Sequence, residues 1–410
     1  MSESDIDYKL TLKCPLPFNS LYYDMYDNVG PCNLNPLMSA RPVKDYLKSD
    51  SLLQIRNDML NEVPTPGHCT DRCYKYENMG APAQRFGMMQ AFPDQSIYDT
   101  PKIQHIEVRF TNLCNCKCRI CNSRTSSSIA SEEKKYGSYK GSILVYTGET
   151  EDFVLNEVKQ QIDDLQVVTF SGGEPMLQWQ HWEFLDHLIE NNKKPDLYYY
   201  SNGSIISFKG THITEKWKHF NKILYRVSID VSGPAVEYWR PGIGADWNTI
   251  ANNIKYIKEN TDNVEICYVI TLAWPTLFRI GELLEDLEKI DIGDFGVAFN
   301  PQWEPKFSIQ NLPPEFKNKA REYLQNIPFF NEVAPNKIQL SIKEKTIRDT
   351  RTILNRREKL QDIISYLDGA DTSNIMAASI KYLKQVDIRR NQSFIEVFPE
   401  YKELAEKYGY

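Results

Sequence analysis

The chain has 410 residues, 41% of them hydrophobic and 12% aromatic, which is enough to bury a large central core with smaller pieces at each end. A formal net charge of -7 argues against a protein whose main work is neutralising phosphates, so nucleic acid is a minority expectation. The opening MSESDIDYKLTLKC has no basic stretch followed by an apolar run, and no apolar run reaches the roughly 18 residues of a membrane span. The chain therefore reads as cytoplasmic. In that compartment its nine cysteines, odd in number and partly clustered, point to metal or redox chemistry with reduced thiols and away from a disulfide framework.

Three parts follow one another. Residues 1–100 are irregular, rich in Pro, Asn, Tyr and Cys, with one helical pattern, VKDYLKSDSLLQIRNDMLNE, in which Leu52, Ile55, Met59 and Leu60 recur at helical spacing. From 101 to 305 short apolar strands alternate with amphipathic helices. The strands are HIEVRF, QVVTF, DLYYYS, RVSID, VEICYVITL and GVAFN; the helices include HWEFLDHLIENN, WNTIANNIKYIKEN and TLFRIGELLEDLEKI. This alternation predicts an α/β fold with a parallel sheet, and about six such units predict a partial (β/α)6 TIM-like barrel. Residues 306–410 are mostly charged and predict a helical C-terminal extension. No internal repeat or low-complexity tract interrupts the chain.

Directly after the first core strand comes RFTNLCNCKCRICNSR. Its Cys114, Cys118 and Cys121 form C-x3-C-x2-C at the strand end where such folds carry their active sites. Three thiolates can hold three irons of a [4Fe-4S] cubane and leave the fourth open, whereas four would close it. The alternative is a structural zinc knuckle, for which a compact run without a distant partner is unusual. After QVVTF comes SGGEP, with Gly172, Gly173, Glu174 and Pro175 again at a strand end. Paired glycines allow close backbone approach to a ligand, and Glu174 offers an acceptor for a cationic group. By itself the stretch is equally a type II turn.

Together these motifs resemble the radical S-adenosylmethionine (radical SAM) enzymes. The resemblance implies that Cys114, Cys118 and Cys121 bind a [4Fe-4S] cluster whose open iron is chelated by S-adenosylmethionine. It further implies reductive cleavage to a 5'-deoxyadenosyl radical that abstracts hydrogen from a substrate. Residues 172–175 match the element that receives the methionine amino group. Asn202 in YSNG falls where the family has ribose contacts, Ser228 and Asp230 in VSIDVSG share one strand face, and Arg240 in YWRPG resembles the basic partner of the methionine carboxylate. Ile120 stands where the family usually has an aromatic packed near the adenine. Family spacing leaves Cys116 as the spare thiol, read as a non-ligand, with a tolerated small residue or a rescuing thiol as its two interpretations.

Cys14, Cys32, Cys69 and Cys73 are scattered through the N-terminal part, where a bound metal would supply missing order because binding at such a site is folding energy. The arrangement resembles the twitch-type auxiliary-cluster region related to SPASM domains, placed here before the core. CPLPFNSLYYD, GPC, CTDRCYKYENMGAPAQR and VDIRRNQSFIEVFPE carry that resemblance. It implies a second auxiliary [4Fe-4S] cluster, a peptide or protein substrate, and a flavodoxin- or ferredoxin-type electron donor. Open alternatives are zinc at the four thiols, His68 in place of Cys69, or Cys14 and Cys32 as ordinary buried residues. Two rival functions are action on a nucleoside or small metabolite, and a non-catalytic metal-binding adaptor.

Other residues have plainer readings. In VEICYVITL alternation places Glu265, Cys267, Val269 and Thr271 on one face, expected to look into the barrel. Cys267 reads as a small core residue before it reads as a hydrogen-atom donor. Tyr198, Tyr199 and Tyr200 read as sheet packing before a radical relay. GELLEDLEKI reads as a solvated helix with an apolar side through Ile280, Leu283, Leu284 and Leu287.

Overall fold

A computed structural model describes residues 12–35, 37–39, 41–65, 69–74, 84–139, 151–302, 304–331 and 356–410. His68 and part of CTDRCYKYENMGAPAQR lie outside the described residues.

Ten strands are present among them: β1 (Ser20–Tyr23), β2 (Val29–Gly30), β3 (His105–Val108), β4 (Val167–Phe170), β5 (Asp196–Ser201), β6 (Ser207–Phe208), β7 (Thr211–His212), β8 (Ile223–Ser228), β9 (Val264–Leu272) and β10 (Gly296–Pro301). Eight form one sheet in the order β10-β9-β8-β5-β4-β3-β1-β2. The six expected core strands run parallel as neighbours, with helices such as Trp179–Glu190, Trp247–Glu259 and Ile280–Glu288 between them. The sheet is not closed, so this is the partial TIM-like barrel that the alternation predicts.

The N-terminal part is not simply irregular. β1 pairs parallel with β3, Ser20 opposite His105 and Tyr23 opposite Val108, while β2 pairs antiparallel with β1. All four residues of β1 are buried. SLYY does not read as a strand because it lies outside the alternation of strands and helices, followed by the two-residue β2 and not by a helix. The expected helix of this region is two helices, Val43–Tyr46 and Asp50–Leu60. Ser49 separates them, donating to the Tyr46 carbonyl at 2.7 Å and capping the second helix at the Leu52 amide. Leu52, Ile55 and Met59 are buried, but Leu60 is 45% exposed. It lies off the stripe because it sits about 100° round the helix from Met59 and about 140° from Ile55.

Sheet alternation separates two cores. The outer face sends Ile106, Val168, Tyr199, Tyr225, Ile266 and Tyr268 into the main cluster under the helices, including Ile280, Leu283, Leu284 and Leu287 from the acidic helix. The inner face sends Val167, Tyr198, Leu224 and Cys267 into a second cluster with Cys14, Leu16, Phe18, Ile55 and Met59. The N-terminal part thus fills the concave side of the barrel. Cys267 is 2% exposed and packs there. The inner face also carries a buried polar ladder across three strands: the Ser20 hydroxyl meets His105 Nδ1 at 2.9 Å, and His105 Nε2 meets the Thr169 hydroxyl at 3.1 Å. No described helix is long and apolar enough to cross a membrane.

On the outer face Tyr199 stacks on Phe170 at 5.1 Å and shares a 2.9 Å hydrogen bond with His181 Nε2. Burial pushes the His181 pKa down to about 3 from 6.5. The unfolded chain then binds a proton that the folded chain refuses, so stability present above pH 6.5 is lost as pH falls toward 3. We expect a loss of about 1.4 kcal/mol per pH unit from this group; urea denaturation between pH 6.5 and 4.5 should show a shallower dependence for His181→Gln than for the unaltered chain.

Candidate functional site: two groups of cysteines

Beyond β3 the backbone runs through 109–113 into the cysteine loop, and three segments hold it. From the serine run that caps helix Ser127–Lys135, the Ser126 hydroxyl donates to the Cys116 carbonyl at 2.7 Å and the Ser128 hydroxyl to the Cys114 carbonyl at 2.6 Å. From the glycine turn, the Glu174 amide donates to the Leu113 carbonyl at 2.7 Å. From the 239–243 segment, Trp239 and Pro241 carbonyls accept from Arg119 and Lys117 amides at 3.0 and 2.6 Å, and Cys116 forms an antiparallel bridge with Gly242.

Two glycines make this approach possible. A Cβ on Gly173 would stand 2.2 Å from the Leu113 carbonyl oxygen, and one on Gly242 would stand 2.7 Å from Cys116 Sγ. Any side chain would push these segments off the loop. Gly172 adopts φ +111, a conformation that L side chains rarely reach.

The loop gathers Cys114, Cys116, Cys118 and Cys121 with Ile120, which packs against both the loop cluster and the main core. Arg240 Nη1 lies 3.8 Å from Cys118 Sγ. Hydrogen bonding from the Cys116 thiol, aided by the Arg240 guanidinium, lowers the Cys118 pKa, while Cys116 is pushed up because it donates to both Cys114 and Cys118. Burial raises Cys121 to about 11. Cys116, 1% exposed, also accepts from Asn202 Nδ2 at 3.2 Å. The spare thiol is therefore an inner member of the loop.

Two carboxylates of the motifs are held by protein donors, because a fully buried carboxylate needs its acceptors filled. Glu174 takes the Met176 amide at 3.3 Å, the Ser201 hydroxyl at 2.9 Å and the Asn202 amide at 2.8 Å, and burial pushes its pKa up to about 7. Asp230 takes Arg240 Nε at 2.7 Å, Trp239 Nε1 at 3.0 Å and the Thr271 amide at 2.7 Å. Their part here is to fix the YSN turn and Arg240. Asn202 also donates to Asn115 Oδ1 at 2.9 Å, a loop residue that the motif reading passed over. Ser228 ends β8, half-buried, opposite Val269.

A clamp from the C-terminal region was not legible from motifs. Buried Arg119, inside the cysteine loop, donates from Nη2 to Asp387 Oδ1 at 2.6 Å and to Gln392 Oε1 at 2.8 Å, and stacks 3.6 Å over the Tyr238 ring. Asp387 also takes the Tyr238 hydroxyl at 3.1 Å and the Phe394 amide at 2.8 Å. Nearby, Arg390 Nη2 pairs with Glu132 Oε2 at 2.8 Å.

The second group lies within the N-terminal part. Cys14, Cys32, Cys69 and Cys73 line one cavity together with Asn35, Met59 and Arg85. Burial, reinforced by the neighbouring thiols, pushes Cys14 up and raises Cys69 to about 12; burial raises Cys32 to about 11. Four such thiols can be thiolates together only around a cation, which fits a metal centre. Buried Arg85, held by the Lys13 carbonyl at 2.9 Å and lying 5.1 Å over the Tyr74 ring, would offset the negative charge of such a centre. Among the described residues no three His, Cys, Asp or Glu take up the arrangement of a single-ion site.

The radical SAM superfamily model matches residues 108–287, from the end of β3 into helix Ile280–Glu288. No curated protein matches the chain. Among solved structures, native anSMEcpe with bound AdoMet is 18% identical with a TM-score of 0.39, the match covering 56% of this chain and 60% of that one. Streptococcus suis SuiB bound to S-adenosylmethionine is 15% identical with a TM-score of 0.32, covering 54% of this chain and 43% of that one. In these two matches the chain spans less than two thirds of the other protein. Native anSMEcpe with AdoMet and Cp18Cys peptide is 14% identical with a TM-score of 0.40, covering 73% and 99%.

Two variants test the grip on the loop. Gly173→Ala should remove the iron bound at the cysteine loop, about half of the total if each cysteine group holds a four-iron cluster, read as iron per chain after anaerobic reconstitution. Asp387→Ala leaves the buried Arg119 charge unpaired and should cost about 3–5 kcal/mol in urea denaturation.

Proposed function

We propose that this chain is a radical SAM enzyme with a second, auxiliary iron-sulfur cluster in its N-terminal part, acting on a peptide or protein. The observation that carries the reading is the convergence on one loop of Cys114, Cys118 and Cys121 with the glycine turn and Arg240. A scaffold that bound metal only for stability would need the thiols but not the rest.

A reduced [4Fe-4S] cluster held by this loop would supply one electron to the sulfonium of bound S-adenosylmethionine, giving methionine and a 5'-deoxyadenosyl radical able to take a hydrogen atom from substrate. The chain's own residues bind and orient. Cys114, Cys118 and Cys121 hold three irons, leaving the fourth open. The backbone at 172–175 receives the methionine amino group, and Arg240, fixed by Asp230, pairs with the methionine carboxylate. Asn202 and Ser228 stand at the ribose, with Ile120 packing at the adenine. Cys116 stays off the iron and donates to the neighbouring sulfurs. Cys14, Cys32, Cys69 and Cys73 hold the auxiliary cluster. With four thiolates it has no open iron, so electron transfer to or from the substrate suits it better than direct substrate binding. A flavodoxin- or ferredoxin-type protein would supply electrons, in the cytoplasm. The peptide assignment rests on likeness to SPASM and twitch enzymes, an analogy of fold, and is favoured by an open pocket beside the four N-terminal thiols.

Protein reconstituted without oxygen should carry about eight irons per chain and form 5'-deoxyadenosine from S-adenosylmethionine with a strong reductant. Cys114→Ala/Cys118→Ala/Cys121→Ala should lose about half of the iron and all cleavage. Zinc in place of iron, or iron without any cleavage, would overturn the catalytic reading in favour of a metal-binding adaptor.

A further inference from the structure

An open pocket of about 560 Å³ lies between the two groups of cysteines. Tyr22, Asn33, Asn35, Arg109, Arg124 and Thr125 are among its walls. Asn35 also lines the cavity of the four N-terminal thiols, and its Nδ2 stands 3.9 Å from Cys69 Sγ. Across the pocket the Thr125 hydroxyl lies 3.0 Å from Cys121 Sγ. One space therefore touches residues bonded to a thiol of each group.

Its walls carry two arginines and one carboxylate. Arg109, the inner-face residue just past β3, is aimed by a hydrogen bond from its Nε to the Ser171 hydroxyl at 3.0 Å, with its Nη2 3.7 Å from Glu107 Oε1 and its guanidinium 5.3 Å over the Tyr22 ring. Arg124 lies 5.2 Å over the Tyr26 ring and makes no ion pair among the described residues. The carboxylate on the wall, Asp24, is spent on its own turn: it accepts from the Tyr26 and Asn28 amides at 2.9 and 3.0 Å and from Asn28 Nδ2 at 3.1 Å. The space is thus bordered by two guanidiniums, groups whose planar fork matches a carboxylate, with Asp24 already held by its own turn. Beside them Asn33 donates to Glu107 at 3.4 Å, while its buried Oδ1 has no hydrogen-bond partner. A buried acceptor left open in this way awaits a donor.

We propose that this pocket is the substrate site and that it takes an acidic peptide segment, its carboxylate held by Arg109 and Arg124 and a neighbouring peptide N–H donated to Asn33 Oδ1. The assignment rests on the peptide reading above and narrows it. The volume suits a few residues and not a whole folded partner, and no covalent step is assigned to the pocket itself.

The test uses reconstituted holoprotein with S-adenosylmethionine and no reductant, so that binding is read without turnover. Saturation-transfer NMR is recorded for three capped probes: Ac-Gly-Glu-Gly-NH2, Ac-Gly-Gln-Gly-NH2 and Ac-Gly-Gly-Gly with a free C-terminal carboxylate. We expect one or both acidic probes to bind at least about tenfold better than the glutamine probe, and Arg109→Gln and Arg124→Gln each to remove about that factor. Which acidic probe binds tells a side-chain carboxylate from a chain terminus. Iron content and melting temperature of the Arg124→Gln protein, altered only at a surface side chain, control for folding. Binding of the glutamine probe equal to that of the better acidic probe, no binding of either acidic probe, or a preference that survives both substitutions would overturn the proposal. Arginine-dependent binding in a protein that never cleaves S-adenosylmethionine would leave the pocket standing and remove only the radical reading; cleavage without acid preference would do the reverse.

Discussion

Backbone touches backbone around the cysteine loop, and the rest of the site depends on that contact. Amides and carbonyls of 111–119 are exchanged with the glycine turn on one side and with the 239–243 segment on the other, at separations that leave no space for a Cβ at Gly173 or Gly242. Since the loop contains no regular element of its own, its shape is the sum of its neighbours' shapes. The thiols are therefore oriented by strand ends lying far apart in sequence, and a change in either segment is felt at sulfur.

Charge reinforces the same contact from behind. Glu174 and Asp230 are both fully buried, and each spends its acceptors on a turn or a cation that borders the loop. Arg119 does the opposite job, a buried cation reaching outward to a carboxylate 268 residues away. Such pairs contribute little net stability once desolvation is counted, but their separation is costly. The C-terminal helix Met376–Arg390 is thereby tied to the position of the loop as well as to the core.

Much of this was legible in the sequence, for identifiable reasons. The core strands β3, β4, β5, β8, β9 and β10 announce themselves as short apolar runs that alternate with amphipathic helices. β1 escaped because the next element is the two-residue β2 and not a helix. The cysteine spacing and SGGEP pointed to their loops, since thiols and paired glycines have few other uses at a strand end. What those motifs could not convey is direction. Glu174 and Asp230 are held by donors that the motifs do not name, while Arg109, Asn33 and Arg124 carry no motif and become conspicuous only when their surroundings are seen. Arg119 and Asp387 could be matched only by knowing which helix returns to the loop.

The parallel pairing of β1 with β3 also sets a timetable. Cys14 and Cys32 flank β1 and β2, and these strands gain their place in the sheet from residues 105–108. A ribosome delivers the first of these thiols some ninety residues before the strand that locates them. Pairing across that separation carries the entropy of closing a long loop, repaid only once β3 is available. During synthesis the N-terminal thiols are thus exposed before they are organised, and their strands find their place only when the barrel's first core strand emerges.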